Sequence, residues 1–109
     1  MAYWDNRCSV TGCSNPDFLI ASHIKPWRDS SAKEKGDVYN GLMLTPNLDA
    51  AFDRGYISFD CNGIIMVSDK LSNSDCEALG IRADMRLRKI EDKHKAYLEY
   101  HRKNIYIDK

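Results

Sequence analysis

Ala21-Ser22-His23-Ile24-Lys25-Pro26-Trp27 and, after a polar interval, Asn40-Gly41-Leu42-Met43-Leu44-Thr45-Pro46-Asn47-Leu48-Asp49-Ala50-Ala51-Phe52-Asp53-Arg54-Gly55 are the segments that decide the fold. Phe18-Leu19-Ile20-Ala21 is a short apolar run that reads as a strand delivering His23 at its far end, and Pro26 stops any regular continuation. Arg28 to Asp37 is polar and charged and reads as a mobile surface loop. Gly41-Leu42-Met43-Leu44 reads as a second strand. Thr45-Pro46 then predicts a helix start, with the threonine hydroxyl capping free amides and proline at the first helical position. The helix is expected to run to about Arg54, with Gly55 as its left-handed stop.

Working outward, Tyr56-Ile57-Ser58-Phe59-Asp60 and Ile64-Ile65-Met66-Val67-Ser68 flank Cys61-Asn62-Gly63, and Asn-Gly between apolar runs is a hairpin signal. Ser72 to Leu79 suggests a short helix ended by Gly80. Met85, Leu87, Ile90, His94, Tyr97, Leu98, His101 and Ile105 recur at steps near three and four, which predicts a terminal helix with one apolar face. No repeat or low-complexity linker interrupts the chain, so residues 1–109 read as a single domain, the size of one modest core.

Composition bounds the function without naming it. Lys and Arg number 16 against 16 Asp and Glu. The two signs are unevenly spread: residues 1–81 carry net −4 and residues 82–109 net +4. A basic tail on an acidic body suits phosphate on one side and a cation on the other, although from charge alone a solvated helix face is the favoured reading. No apolar run is long enough to cross a bilayer, and the start lacks the apolar segment of a secretion signal, so a cytoplasmic location is expected and no membrane partner. Cys8, Cys13, Cys61 and Cys76 form no Cys-x-x-Cys pair. Cys8 and Cys13 have a spacing some zinc loops allow, but no second tight pair follows, so reduced thiols are the default.

The chemistry lies in four residues. An imidazole is the side chain best matched to proton transfer near neutral pH, which makes His23 a candidate base; alone, a strand-end histidine is more often structural. Asp49 and Asp53 stand one helical turn apart, on one face, where they repel unless a cation lies between them; the competing reading is a solvated acidic face. Carboxylates completed by water and phosphate suit Mg2+ or Mn2+ better than Zn2+. The Asn40 amide has the reach to bond backbone on both sides of the loop, although Asn before Gly is in isolation a turn residue.

These residues, with Cys8-Ser9-Val10-Thr11-Gly12 ahead of them, resemble the HNH (His-Asn-His) endonucleases of the ββα-metal fold, and among these the nuclease domains of restriction and phage-defence proteins. The resemblance covers nearly the whole chain, through the hairpin and Tyr97-Leu98-Glu99-Tyr100-His101-Arg102. It implies an α+β fold, a ββα-metal core with an additional β-hairpin and a C-terminal helix. It also implies a metal-dependent endonuclease that hydrolyses phosphodiester bonds in DNA, with RNA left open. His23 falls on the general base and Asn40 on the asparagine that orients it. Asp49 falls on the metal-binding histidine of the motif and Asp53 on the further helical ligand; both are carboxylates here. Ser22 stands where the wider superfamily often carries a metal ligand. Lys25, Arg28 and Arg54 are candidate phosphate contacts, and His101 a candidate accessory residue that reads more readily as a buried, hydrogen-bonded histidine. Trp27 has the surface to stack on a sugar or base but, following proline beside a strand, is expected to pack under the loop. Specificity is expected from a homodimer or an attached specificity or sensor domain. The alternatives are a catalytically degenerate nucleic-acid-binding module and a structural zinc domain.

Overall fold

A computed structural model describes residues 2–107; Met1, Asp108 and Lys109, which the one-domain reading includes, lie outside the described residues. Strands β1 (Ile20–His23) and β2 (Gly41–Leu44) pair antiparallel, with Ile20 opposite Leu44 and His23 opposite Gly41. The first strand starts two residues later than its apolar run suggests. Asn15 caps a 3₁₀ turn at Pro16–Phe18 through its side chain, and this turn takes Phe18 out of the strand.

Between the strands the polar interval, read from the sequence as a surface loop, contains short helical elements. Trp27–Asp29 forms a 3₁₀ turn and Ala32–Lys35 a short helix, α1. Ser31 and Glu34 form a reciprocal capping box at its start, a pattern visible in Ser31-Ala32-Lys33-Glu34. A further 3₁₀ turn, Val38–Asn40, leads into β2.

Helix α2 spans Pro46–Asp53, with Gly55 following at φ +82°. Proline takes the first position, but Thr45 does not cap: its hydroxyl donates to Asn47 Oδ1 at 2.7 Å, a competing local partner. Leu48, Ala51 and Phe52 form the buried stripe of α2, at the three- and four-residue steps of a core face. Asp49 and Asp53 are each one residue further on, so their stripe is turned about 100° from the core. Their orientation toward the cleft thus follows from the burial of their neighbours. Helix α2 packs across both strands of the first hairpin and against β3.

The second hairpin pairs β3 (Ile57–Phe59) with β4 (Ile65–Val67), with Gly63 at φ +79° in the turn. Helix α3 (Asn73–Ala78) is capped by the Ser72 side chain, and Gly80 follows at φ +71°. The last helix, α4, covers Asp92–Asn104 only. Met85 and Leu87 are buried, as the periodicity proposes, but from an extended segment: Ile65 N–H donates to the Met85 carbonyl and Arg86 bridges Ile64. Alternate residues of an extended segment can mimic a helical stripe over so few positions. One buried cluster joins Trp4, Cys8, β2, α2, β3, Ile65, Met85, Leu87 and Leu98.

Candidate active site

An open cleft of about 410 Å³ lies between β1, the Pro26–Arg28 turn and α2. Ser22, His23, Trp27, Arg28, Asp49 and Asp53 line it, together with Ile20. His23 comes from the end of β1. Its Nε2 stands 3.0 Å from the backbone carbonyl of Lys35. A carbonyl only accepts, so Nε2 carries the proton and donates, which leaves Nδ1 as the ring's acceptor. No sequence pattern marks this partner, because it is a backbone oxygen supplied by the last residue of α1.

Asn40 holds that arrangement from beneath. Fully buried, it accepts from Lys25 N–H at 2.8 Å through Oδ1 and donates through Nδ2 to the Glu34 carbonyl at 3.1 Å and to Ser30 Oγ at 3.4 Å. Ile24 N–H donates to the Asn40 carbonyl at 3.0 Å. One side chain therefore ties the segment after the strand to α1, whose last carbonyl grips His23. Its amide is spent on protein partners, which makes Asn40 a positioning residue rather than a group that meets substrate.

Asp49 is half-buried at the floor of the cleft, and Asp53 is exposed at its edge. Burial pushes the Asp49 carboxyl above its ordinary range; hydrogen bonding from Ser22 works against this, Asp53 reinforces it, and Arg54 offsets part of it. Ser22, unsuited as a ligand, is thus the partner of a carboxylate that would be one. The donor set is hard oxygen, two carboxylates lining an open cleft, and among the described residues no group of three His, Cys, Asp or Glu is placed to hold a metal ion. That set fits Mg2+ or Mn2+, which bind through one or two carboxylates with water and substrate phosphate completing the shell. It does not fit a closed zinc site. Nor does Cys8 gather zinc ligands: its sulfur accepts from the backbone N–H groups of Val10 and Thr11, and all four cysteines are free thiols.

Of the candidate phosphate contacts, only Arg28 lines this cleft, with its side chain largely exposed. Lys25 points elsewhere, paired with Glu34 at 3.0 Å and lying 4.9 Å from the ring centre of Tyr100. The reason is local: capping α1 brings the Glu34 carboxylate to the lysine. Arg54 lies on the far flank of α2, beside Tyr56 and Leu79. His101 is also outside the cleft. It is buried, stacks on Phe52 at 3.8 Å, donates from Nε2 to the Phe52 carbonyl at 2.8 Å and meets Ser58 Oγ through Nδ1 at 2.8 Å. Burial lowers its pKa to about 4. It fastens α4 and β3 to the end of α2, which is a structural task. Trp27, expected under the loop, is instead 59% exposed at the cleft mouth.

Comparison with known proteins bears on this geometry. Residues 8–60 match the HNH endonuclease family. No curated protein matches the chain. A solved structure described as a modification dependent TagI restriction endonuclease superposes with a TM-score of 0.59 over 95% of this chain, at 22% identity. The chain spans 35% of that enzyme's length. The superposition extends the shared α+β fold beyond the matched segment to the second hairpin and α4. Residues 8–60, which hold both strands of the first hairpin, α2 and every side chain lining the cleft, are the part of this chain that matches the HNH endonuclease family.

Proposed function

We propose that the chain is a metal-dependent DNA endonuclease in which His23 activates water and Asp49 and Asp53 hold one divalent cation, Mg2+ or Mn2+. The observation that carries this reading is the convergence of His23 and the two carboxylates on one open cleft, with the histidine tautomer fixed by the Lys35 carbonyl. Nδ1 takes a proton from water. The imidazolium that results is stabilised through Nε2–H, which donates to a fixed carbonyl oxygen and holds the ring in place through the transfer. Asn40 keeps that carbonyl and the strand end in register, and Arg28 offers a guanidinium to a flanking phosphate. A cation bound at Asp49 and Asp53 would neutralise phosphate charge and stabilise the departing oxygen.

Sharing the fold of part of a longer restriction endonuclease, of which this chain covers 35%, supports a role as the cutting module of a cytoplasmic restriction or phage-defence system. Target choice would then lie in an attached specificity or sensor module or in a second copy. The test is cleavage of plasmid DNA by the purified protein with Mg2+ or Mn2+. Cleavage that disappears in His23→Ala is the expected result, and identical profiles for the two proteins would sink the reading. One observation favours a second reading, binding without cutting: burial and Asp53 both disfavour the ionised Asp49 that a cation needs. DNA affinity indifferent to metal and to Asp49→Ala would select it.

A further inference from the structure

Trp27 is the most exposed of the large apolar side chains, at 59%, and it stands on the rim of the cleft rather than on a remote surface. Its ring centre is 5.4 Å from that of His23, with the planes at 75°. Lys35 Nζ lies 4.4 Å from the centre of the same ring, and Arg28 is its chain neighbour. Ile20, 38% exposed, lines the same cleft, and Phe18, 53% exposed, precedes it by two residues. Water activation and cation binding require none of this apolar surface.

Phosphodiester chemistry in a duplex offers a protein charge and sugar at this depth, because the base faces are covered by their neighbours. An open indole offers its face to a base that has left its stack, the contact by which aromatic side chains hold single strands. The cations beside it fit the phosphates on either side of such a base. We propose that Trp27, backed by Ile20, receives the base adjoining the scissile phosphate, so that the preferred substrate is DNA with an unpaired or readily unstacked nucleotide at the cut. This deepens the nuclease reading and rests on it for the identity of the cleft, but it is tested by binding.

The chain's tryptophans are Trp4, with no exposed surface, and Trp27, so iodide in solution quenches the emission of Trp27 selectively. The experiment uses His23→Ala protein without metal and three oligonucleotides: a paired duplex, the same duplex with one unpaired base, and a single strand. Trp27 emission is expected to be shielded from iodide by the last two and not by the first. Adding Trp27→Ala should weaken binding to those two roughly ten- to a hundredfold, the range of one lost base stack. Trp27→Phe should recover most of that loss. The proposal is overturned if the alanine variant binds all three as its parent does, if the paired duplex binds best, or if phenylalanine fails to rescue. Separately, absence of cleavage by the wild-type protein with Mn2+ would remove the nuclease reading and leave the binding result to stand or fall alone.

Discussion

His23 and His101 sit on opposite sides of the same short helix and begin alike. Each ring donates from Nε2 to a backbone carbonyl, Lys35 in one case and Phe52 in the other. They differ at Nδ1. In His101 it is answered by Ser58 inside a closed pocket, with Phe52 stacked on the ring; in His23 it opens on a cleft with two carboxylates and an arginine. A carbonyl that fixes the tautomer is therefore no mark of catalysis. What separates the two regions is whether the second nitrogen has been left without a protein partner and within reach of water.

The sharpest way to break this comparison is to remove each ring. His23→Ala should lower the cleavage rate by about two to four orders of magnitude, the usual contribution of a general base, while the denaturation midpoint stays near wild type. His101→Ala should do the reverse. Losing a fully buried ring and leaving the buried Ser58 hydroxyl without its ring partner should cost about 3–5 kcal/mol in urea unfolding. Cleavage by the molecules still folded should change only a few-fold. Equal losses of rate in both variants would collapse the distinction.

Acid separates the regions next. Burial holds His101 at about 4 against an ordinary 6.5, so the unfolded chain takes up a proton in that interval that the folded chain refuses. The unfolded state binds more protons, and stability therefore falls as pH drops from about 6.5 to about 4, by on the order of 3 kcal/mol from this group. Burial lowers His94 in the same direction and adds to the loss. Melting curves across this window should be visibly flatter for His101→Phe, which keeps a ring against Phe52. Unchanged pH dependence in that variant would mean that His101 is not the buried neutral group described.

Two smaller effects sharpen the cleft side. Arg28→Ala should weaken DNA binding by about 1 kcal/mol, uniformly across sequences, and lower the salt slope by about one ion, as a phosphate contact does. A sequence-dependent loss would instead give Arg28 a role in base readout. Asp49→Asn removes a carboxylate disfavoured by burial and by Asp53, while an amide oxygen can still accept from Ser22. The metal-free variant should be more stable by a few tenths of a kcal/mol near neutral pH, the scale of a like-charge pair at this spacing. It should also lose the calorimetric signal of Mn2+ binding. A destabilised variant would show that Asp49 serves the fold and not the cation.

Order in the first hairpin, α2 and the second hairpin was legible because each rests on local signals: apolar runs, Pro46 at a helix start, Gly55 and Gly63 where φ must be positive. The start of α4 was not, because Met85 and Leu87 are buried by pairing with distant strand residues and imitate a helical face. Among the site residues, the fourfold spacing of Asp49 and Asp53 and the placement of His23 at a strand end were readable one by one. The place of Lys25 outside the cleft was not readable, because the lysine is paired with Glu34, whose position depends on how α1 is capped.

The sequence by itself determined the order of elements and the two carboxylates on one helical face, since both follow from backbone geometry over a few residues. Only the tertiary structure decided which histidine faces water and which arginine reaches the cleft. It also decided that Trp27 stands open at the mouth. Those outcomes depend on contacts between segments far apart in the chain: the Lys35 carbonyl on His23, Ser58 on His101, Glu34 on Lys25. No local pattern encodes a partner that arrives from another element.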